Sequence, residues 1–179
     1  MAKRENIWNI PNILTMLRVA LIGVFIWQYA IGHRYWAMGV FLLAGATDFL
    51  DGYIARKHNL VTNFGKLMDP LADKLMLVTA LACLMSSGLV PLWVVLVVVA
   101  KELVMVVGGY WMLRQGTVVQ AHIIGKAATV VFVIAVVATF LHEFTSPFDT
   151  YLQILAVILS ISAMVWYFGR AARVILDRR

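Results

Sequence analysis

The chain has 179 residues, 63% of them hydrophobic and only 13% charged, with a formal net charge of +6 and a mean hydropathy of +0.88. A soluble domain carries about a quarter charged residues. The composition therefore excludes a soluble core and predicts an all-α, polytopic membrane protein with a single domain over residues 1–179. The basic surplus orients such a chain and attracts anionic lipid, and no aromatic–basic alternation or zinc-finger spacing argues for nucleic acid. Cys83 is the only cysteine, so no internal disulfide can form, and its apolar surroundings predict a buried packing role.

Met1 to Ile10 reads as a short interfacial segment, with Trp8 at the headgroup level and Lys3 and Arg4 on the cytoplasmic side. No small-residue cleavage site follows the first apolar run, so the segment is expected to be retained. Pro11 is well placed to open a first helix from about Asn12 to Ile31. Asn12, Thr15 and Arg18 recur at intervals of three and make a polar stripe on it. Local capping with Arg18 snorkelling to the interface would explain the stripe; a polar protein interior explains it better.

Gly32 to Arg34 is a turn, and a second helix is predicted from about Tyr35 to Lys57. His58 to Asn63 is a loop in which His58 is expected to be solvated. A third helix runs from about Phe64 to Ser86, and Pro70 inside its first turns is expected to bend it. Ser86-Ser87-Gly88 and Pro91 mark the next reversal. The fourth helix, about Leu92 to Arg114, carries Lys101 and Glu102 deep in an apolar run. Adjacent residues do not face each other on a helix, so partners are expected on other helices, Arg18 or Lys74 for Glu102. Gln115 to Gln120 is a loop. The fifth helix, about Ala121 to Leu141, places His122, Lys126 and Thr129 along one line. His142 to Asp149 reads as an acidic loop. The sixth helix, about Thr150 to Arg170, ends near Gly169, read as a packing or breaking position, and a basic tail follows.

Six spans put both termini on one side, with Lys3, Arg4, Arg56, Lys57, Lys66, Arg114, Lys126 and the tail arginines. Arg34, Glu143 and Asp149 fall on the other. That bias predicts that the termini face the cytoplasm.

The densest chemistry lies between Asp48 and Asp73, which holds four of the nine acidic residues, Asp48, Asp51, Asp69 and Asp73. Apolar runs flank it, Phe41 to Ala46 before and Leu75 to Leu84 after. A carboxylate in such surroundings costs about 2.5–3.5 kcal/mol on insertion scales, so four together require counter-charge. Asp48 and Asp51 are three apart and Asp69 and Asp73 four apart, so each pair shares a helix face. Oxygen-only ligation suits Mg²⁺ or Mn²⁺ rather than zinc. Four carboxylates could hold two such ions, which suits phosphoryl transfer. Gly52 and Ala55 leave room beside them, and Arg56 can grip a diphosphate in two-pronged fashion. A plainer alternative is a ring of acids paired with Arg56, Lys57, Lys66 and Lys74.

The run Asp48-x2-Asp51-Gly52-x2-Ala55-Arg56-x8-Gly65-x3-Asp69-x3-Asp73 resembles the signature of the CDP-alcohol phosphotransferase family at every fixed position. The continuation Leu67-Met68-Asp69-Pro70-Leu71-Ala72-Asp73-Lys74 is similar to its phosphatidylglycerophosphate synthase branch. The resemblance extends from about Pro11 to Lys126. It implies transfer of a phosphatidyl group from CDP-diacylglycerol to a phosphorylated alcohol, glycerol 3-phosphate, with release of CMP. It implies two Mg²⁺ or Mn²⁺ ions on Asp48, Asp51, Asp69 and Asp73, with Asp73 also the general base. It implies CDP contacts from Gly52, Ala55, Arg56 and Gly65, and phosphate contacts from Asn12, Thr15, Arg18, Arg114, Lys126 and Thr129. It further implies a homodimer and an active site open to the cytoplasm. The run Gly125-Lys126-Ala127-Ala128-Thr129 lacks the second lysine of the family's Gly-Lys-x-Lys-Thr-like pattern. Phosphatidylglycerol as acceptor, giving cardiolipin, or another phosphorylated polyol therefore stays open. So does a divalent-cation transport path, which would need polar residues continuing across the bilayer.

Overall fold

The computed structural model describes residues 10–57, 63–114 and 123–176. The expectations for the interfacial segment with Trp8, for His58, for His122 and for the end of the basic tail lie outside the described residues. Among the described residues every regular element is a helix: α1 Ile10–Ala30, α2 Arg34–Lys57, α3 Asn63–Ser86, α4 Leu92–Arg114, α5 Ile123–Phe140, α6 His142–Thr145 and α7 Phe148–Leu176. Pro70 does not interrupt α3, which is assigned as helix throughout.

Three helical stretches are long and apolar enough to cross a membrane, Asn12–Ala30, Leu92–Met112 and Phe148–Val174, with Gly125–Phe140 a shorter apolar helix. Six spans were expected. α2 and α3 have 24 residues each, about 36 Å at about 1.5 Å per residue, which is length enough for a hydrocarbon core of about 30 Å. Both carry the aspartates of the motif, and those charges hold down their mean hydropathy.

The chain divides into two compact units, Met1–Cys83 and Leu84–Arg179. In the first, α1 packs on α2. Phe25 on α1 and Ala37, Phe41 and Ala44 on α2 are buried. The three α2 positions lie four and three residues apart, hence on one face, and the two alanines leave room for close approach. The reversal after α1 uses Gly32 at φ 82°. Its amide donates to Tyr29 O and that of His33 to Gln28 O, both at 3.0 Å. This paired return closes the last carbonyls of a helix and needs a left-handed residue, which glycine adopts without penalty. Gly88, at φ 74°, ends α3 in the same way, with its amide on Met85 O and that of Leu89 on Leu84 O.

In the second unit α5 and α4 both pack on α7. Buried polar groups tie these elements together. Gln153 Nε2 donates to Thr139 Oγ1 at 2.9 Å and to Leu89 O at 3.2 Å, and Thr139 Oγ1 donates to Ala135 O at 2.8 Å. Each bond satisfies a group that would be costly if left unmatched in an apolar interior.

Three expectations are corrected here. The stretch 142–149 is not a plain acidic loop. It contains α6, and Asp149 is fully buried with Oδ2 2.6 Å from His142 Nδ1. Asp149 also sits in the first turn of α7, where the helix dipole favours a negative charge. α7 therefore starts earlier than expected, and it runs past Gly169 to Leu176, because a glycine weakens a helix interior without ending it. Third, Lys101 and Glu102 pair with each other, Nζ to Oε1 at 2.6 Å. Both side chains are largely buried, and in such surroundings two long, flexible chains gain more from bending together than the helical angle between neighbours costs.

Outside these contacts the exposed side chains are strongly apolar, among them Trp27, Trp36, Leu103, Val107 and Ile158, the pattern expected where lipid replaces water. One close approach is testable. A Cβ on Gly108 would overlap the Phe168 ring, whereas on Gly109 it would meet nothing within 4 Å. Gly108→Ala should therefore lower the thermal unfolding midpoint in detergent, by the equivalent of the about 1–3 kcal/mol typical of overpacking. Gly109→Ala should not. Equal drops in the two variants would refute the close-approach account.

Candidate active site

The carboxylates of the motif are met by the polar stripe of α1. Asn12, Thr15 and Arg18 are each only 1% exposed. Their spacing of three keeps them on one side of the helix. Thr15 Oγ1 donates to Asp69 Oδ1 at 2.5 Å. Arg18 Nη1 donates to Asp73 Oδ1 at 2.6 Å, and Arg18 Nη2 lies 3.1 Å from Asp48 Oδ1. One guanidinium thus bridges a carboxylate of α2 and a carboxylate of α3. The planar fork of arginine suits this, since its in-plane N–H groups reach two acceptors at once.

Arg18 does not snorkel to an interface; it is buried against the acids. Asp48 and Asp73 keep 45% and 43% of their side-chain surface exposed, so the carboxylates are accessible on one side and held on the other. Gly65, near the start of α3, is buried. Thr47, beside Asp48, turns its hydroxyl back to Ala44 O at 2.7 Å, which leaves it a role within α2 only.

Asp51, Gly52, Ala55 and Arg56 lie within α2, but their side chains are outside the described set. Asp51 follows Asp48 by three residues on a continuous helix, which keeps the two on one face. Among the described residues no group of three or more histidine, cysteine, aspartate or glutamate side chains is gathered closely enough to hold a metal. Asp48, Asp69 and Asp73 each offer only oxygen and each is partly exposed, which suits a hard divalent cation better than zinc.

Three of the expected phosphate ligands belong to the second unit. Arg114 donates from Nε to Tyr110 Oη at 3.0 Å, with its guanidinium carbon 4.9 Å from that ring's centre. Lys126 is exposed, and Thr129 Oγ1 donates to Gly125 O at 3.1 Å within α5. Ala128, where the family pattern has a lysine, is buried.

The role of Arg18 as a bridge between carboxylates was not anticipated from the sequence, which balanced the acids with divalent metal, or alternatively with basic residues of α2 and α3, and read Arg18 as a phosphate contact or a partner of Glu102. A signal was present. Arg18 is the only charged residue in the 21 residues of α1, and a lone intramembrane cation needs an acid on another helix.

The model of the CDP-alcohol phosphatidyltransferase family matches residues 8–167. A Bacillus subtilis relative named CDP-diacylglycerol–glycerol-3-phosphate 3-phosphatidyltransferase is 40% identical over 160 residues, covering 79% of this chain and 80% of the relative. A Mycobacterium tuberculosis relative named probable phosphatidylglycerophosphate synthase is 34% identical over 181 residues, covering 96% and 86%. A Streptomyces coelicolor relative named cardiolipin synthase (CMP-forming) is 36% identical over 132 residues, covering 70% and 61%. With the family model matched over residues 8–167 of the chain and two of the motif's acids held on an arginine bridge, the chain belongs to the CDP-alcohol phosphatidyltransferase family.

Proposed function

We propose that the protein is an integral membrane phosphatidyltransferase of phospholipid biosynthesis. It moves the phosphatidyl group of CDP-diacylglycerol to glycerol 3-phosphate and yields phosphatidylglycerophosphate and CMP. The similarity to the Bacillus subtilis enzyme along four-fifths of both chains carries this reading. The acids of the motif, Asp48, Asp51, Asp69 and Asp73, would hold the divalent metal on which the family generally depends, Mg²⁺ or Mn²⁺ by donor chemistry and two ions by carboxylate number. Bound there, the ions would offset the charge of the diphosphate and of the departing CMP oxygen.

The rest of the chemistry falls to the chain. Arg18 fixes the direction of Asp48 and Asp73, and Thr15 fixes that of Asp69. Gly52, Ala55, Arg56 and Gly65 line the CDP moiety. Asp73 takes the proton of the acceptor hydroxyl as its oxygen bonds to the phosphatidyl phosphorus and the bond from that phosphorus to CMP breaks. Lys126 and Arg114, with Thr129, hold the acceptor phosphate. The proposal takes α1 to α5 and α7 as six spans, supported by their lengths, with the motif toward the cytoplasm, supported by the distribution of lysine and arginine. A single functional domain and a homodimer complete the proposal.

The Streptomyces coelicolor relative favours one second reading, phosphatidylglycerol as acceptor. A cation-transport path is disfavoured. Beyond Arg18 the described buried residues of α1 and the facing α2 are Phe25, Ala37, Phe41, Ala44 and Thr47, and the one hydroxyl among them donates to Ala44 O within its own helix, so no run of polar groups carries on along this face.

Purified protein given labelled CDP-diacylglycerol and Mg²⁺ or Mn²⁺ should release CMP with glycerol 3-phosphate and not with phosphatidylglycerol. The reverse preference would replace the proposed acceptor, and full turnover in excess chelator would remove the metal from the scheme. Asp73→Asn should lose kcat by about 10²–10⁴-fold, the usual worth of a positioned base, while CDP-diacylglycerol binding is largely kept. If added Mn²⁺ restores that variant to near the wild-type rate, Asp73 is a ligand only. Lys126→Ala should raise the KM for glycerol 3-phosphate far more than that for CDP-diacylglycerol. Small, equal changes in both would take Lys126 out of the acceptor site.

A further inference from the structure

α7 is longer than a membrane requires, and its surplus is chemically distinct. Its 29 residues extend about 43 Å, against a hydrocarbon core of about 30 Å that about 20 residues cross. With exposed Phe148 at one border, the other border falls near residues 166–168. That stretch reads Trp166-Tyr167-Phe168, and aromatic side chains of this kind settle at the headgroup boundary. Arg170 and Arg173 follow within the next two turns, at phosphate depth.

An open cleft of about 440 Å³ lies here, lined by Val165, Trp166, Gly169, Arg170, Arg173 and Val174. Its chemistry changes along the helix. Val165, 63% exposed, is apolar, and Gly169 leaves a notch in which an added Cβ would meet nothing within 4 Å. Arg170 lies with its guanidinium carbon 5.5 Å from the Trp166 ring centre. Such stacking uses the face of the guanidinium and leaves its in-plane N–H groups for an anion. The lining holds two arginines and no carboxylate.

We propose that this cleft is a binding site for one anionic phospholipid, with its phosphate on Arg170 and Arg173 and the upper part of an acyl chain over Val165 and in the Gly169 notch. Charge complementarity selects the occupant: two fixed cations beside an apolar notch match an amphiphile of net negative charge. A zwitterionic headgroup brings its own amine and gains less. The site uses none of the residues assigned to phosphatidyl transfer, and it stands whichever acceptor that reaction uses.

The test is lipid retention and thermal shift of the full-length protein in neutral detergent. Wild type should bind phosphatidylglycerol in preference to phosphatidylcholine, with about one tightly held lipid per chain by native mass spectrometry and a raised unfolding midpoint. Inorganic phosphate alone should do neither. The double variant Arg170→Gln/Arg173→Gln should bind phosphatidylglycerol weaker by about fivefold per arginine, the usual worth of one basic residue at an anionic surface. Gly169→Leu keeps both arginines, and its Cβ would meet nothing within 4 Å, so it should fold normally and still lose the tight lipid. CMP release should persist in both variants. Equal binding of the two lipids, retention of the lipid by the double variant, or its retention by Gly169→Leu would each overturn the proposal. The last result would mean that the basic end attracts anionic lipid diffusely and has no built site.

Discussion

The bridge from Arg18 to Asp48 and Asp73 is the constraint on which the first unit rests. Charges in apolar surroundings are tolerated when they meet opposite charges with good geometry, and removing one partner leaves the others costly. Arg18 is buried, and it meets acceptors on different helices. One side chain therefore sets how α1 stands relative to both halves of the aspartate motif. Thr15, one turn earlier, repeats the contact with Asp69. α1 remains apolar enough to cross a membrane because Asn12, Thr15 and Arg18 share one face, where Thr15 and Arg18 meet the acids.

The second unit meets the same demand with polar and charged groups paired close to one another. Thr139 and Gln153 are buried and bonded to each other, His142 takes one oxygen of Asp149, and Lys101 answers Glu102 beside it. Its packing relies on small residues and on one close contact, Phe168 over Gly108. Without water competing inside a bilayer, helices associate through fit and internal hydrogen bonds, and both are present here.

The family motif and the α1 stripe explain each other. The motif gathers negative charge for a metal and a diphosphate, and that concentration would repel itself before any ligand arrived. A built-in cation that reaches two of the acids lowers this repulsion and leaves them partly exposed. Arginine serves better than lysine, because a single ammonium cannot present two directed N–H pairs to acceptors on different helices.

Much of this was legible in the residues. Apolar runs of helical length, Gly32 and Gly88 at the reversals, and an eight-position motif were enough for the helix order, most of the boundaries and the family. These signals are local, since a helix closes its own hydrogen bonds and a motif keeps its spacing along one strand of sequence. What the residues did not determine depends on side chains meeting across helices. The meeting of Arg18 with Asp48 and Asp73 belongs to that class. So do the burial of Asp149 against His142, the pairing of Lys101 with its neighbour, and the close approach of Phe168 to Gly108. Each turns on distances of a few ångströms between residues whose rotation about their helices the pattern alone leaves free, and only packing sets that rotation.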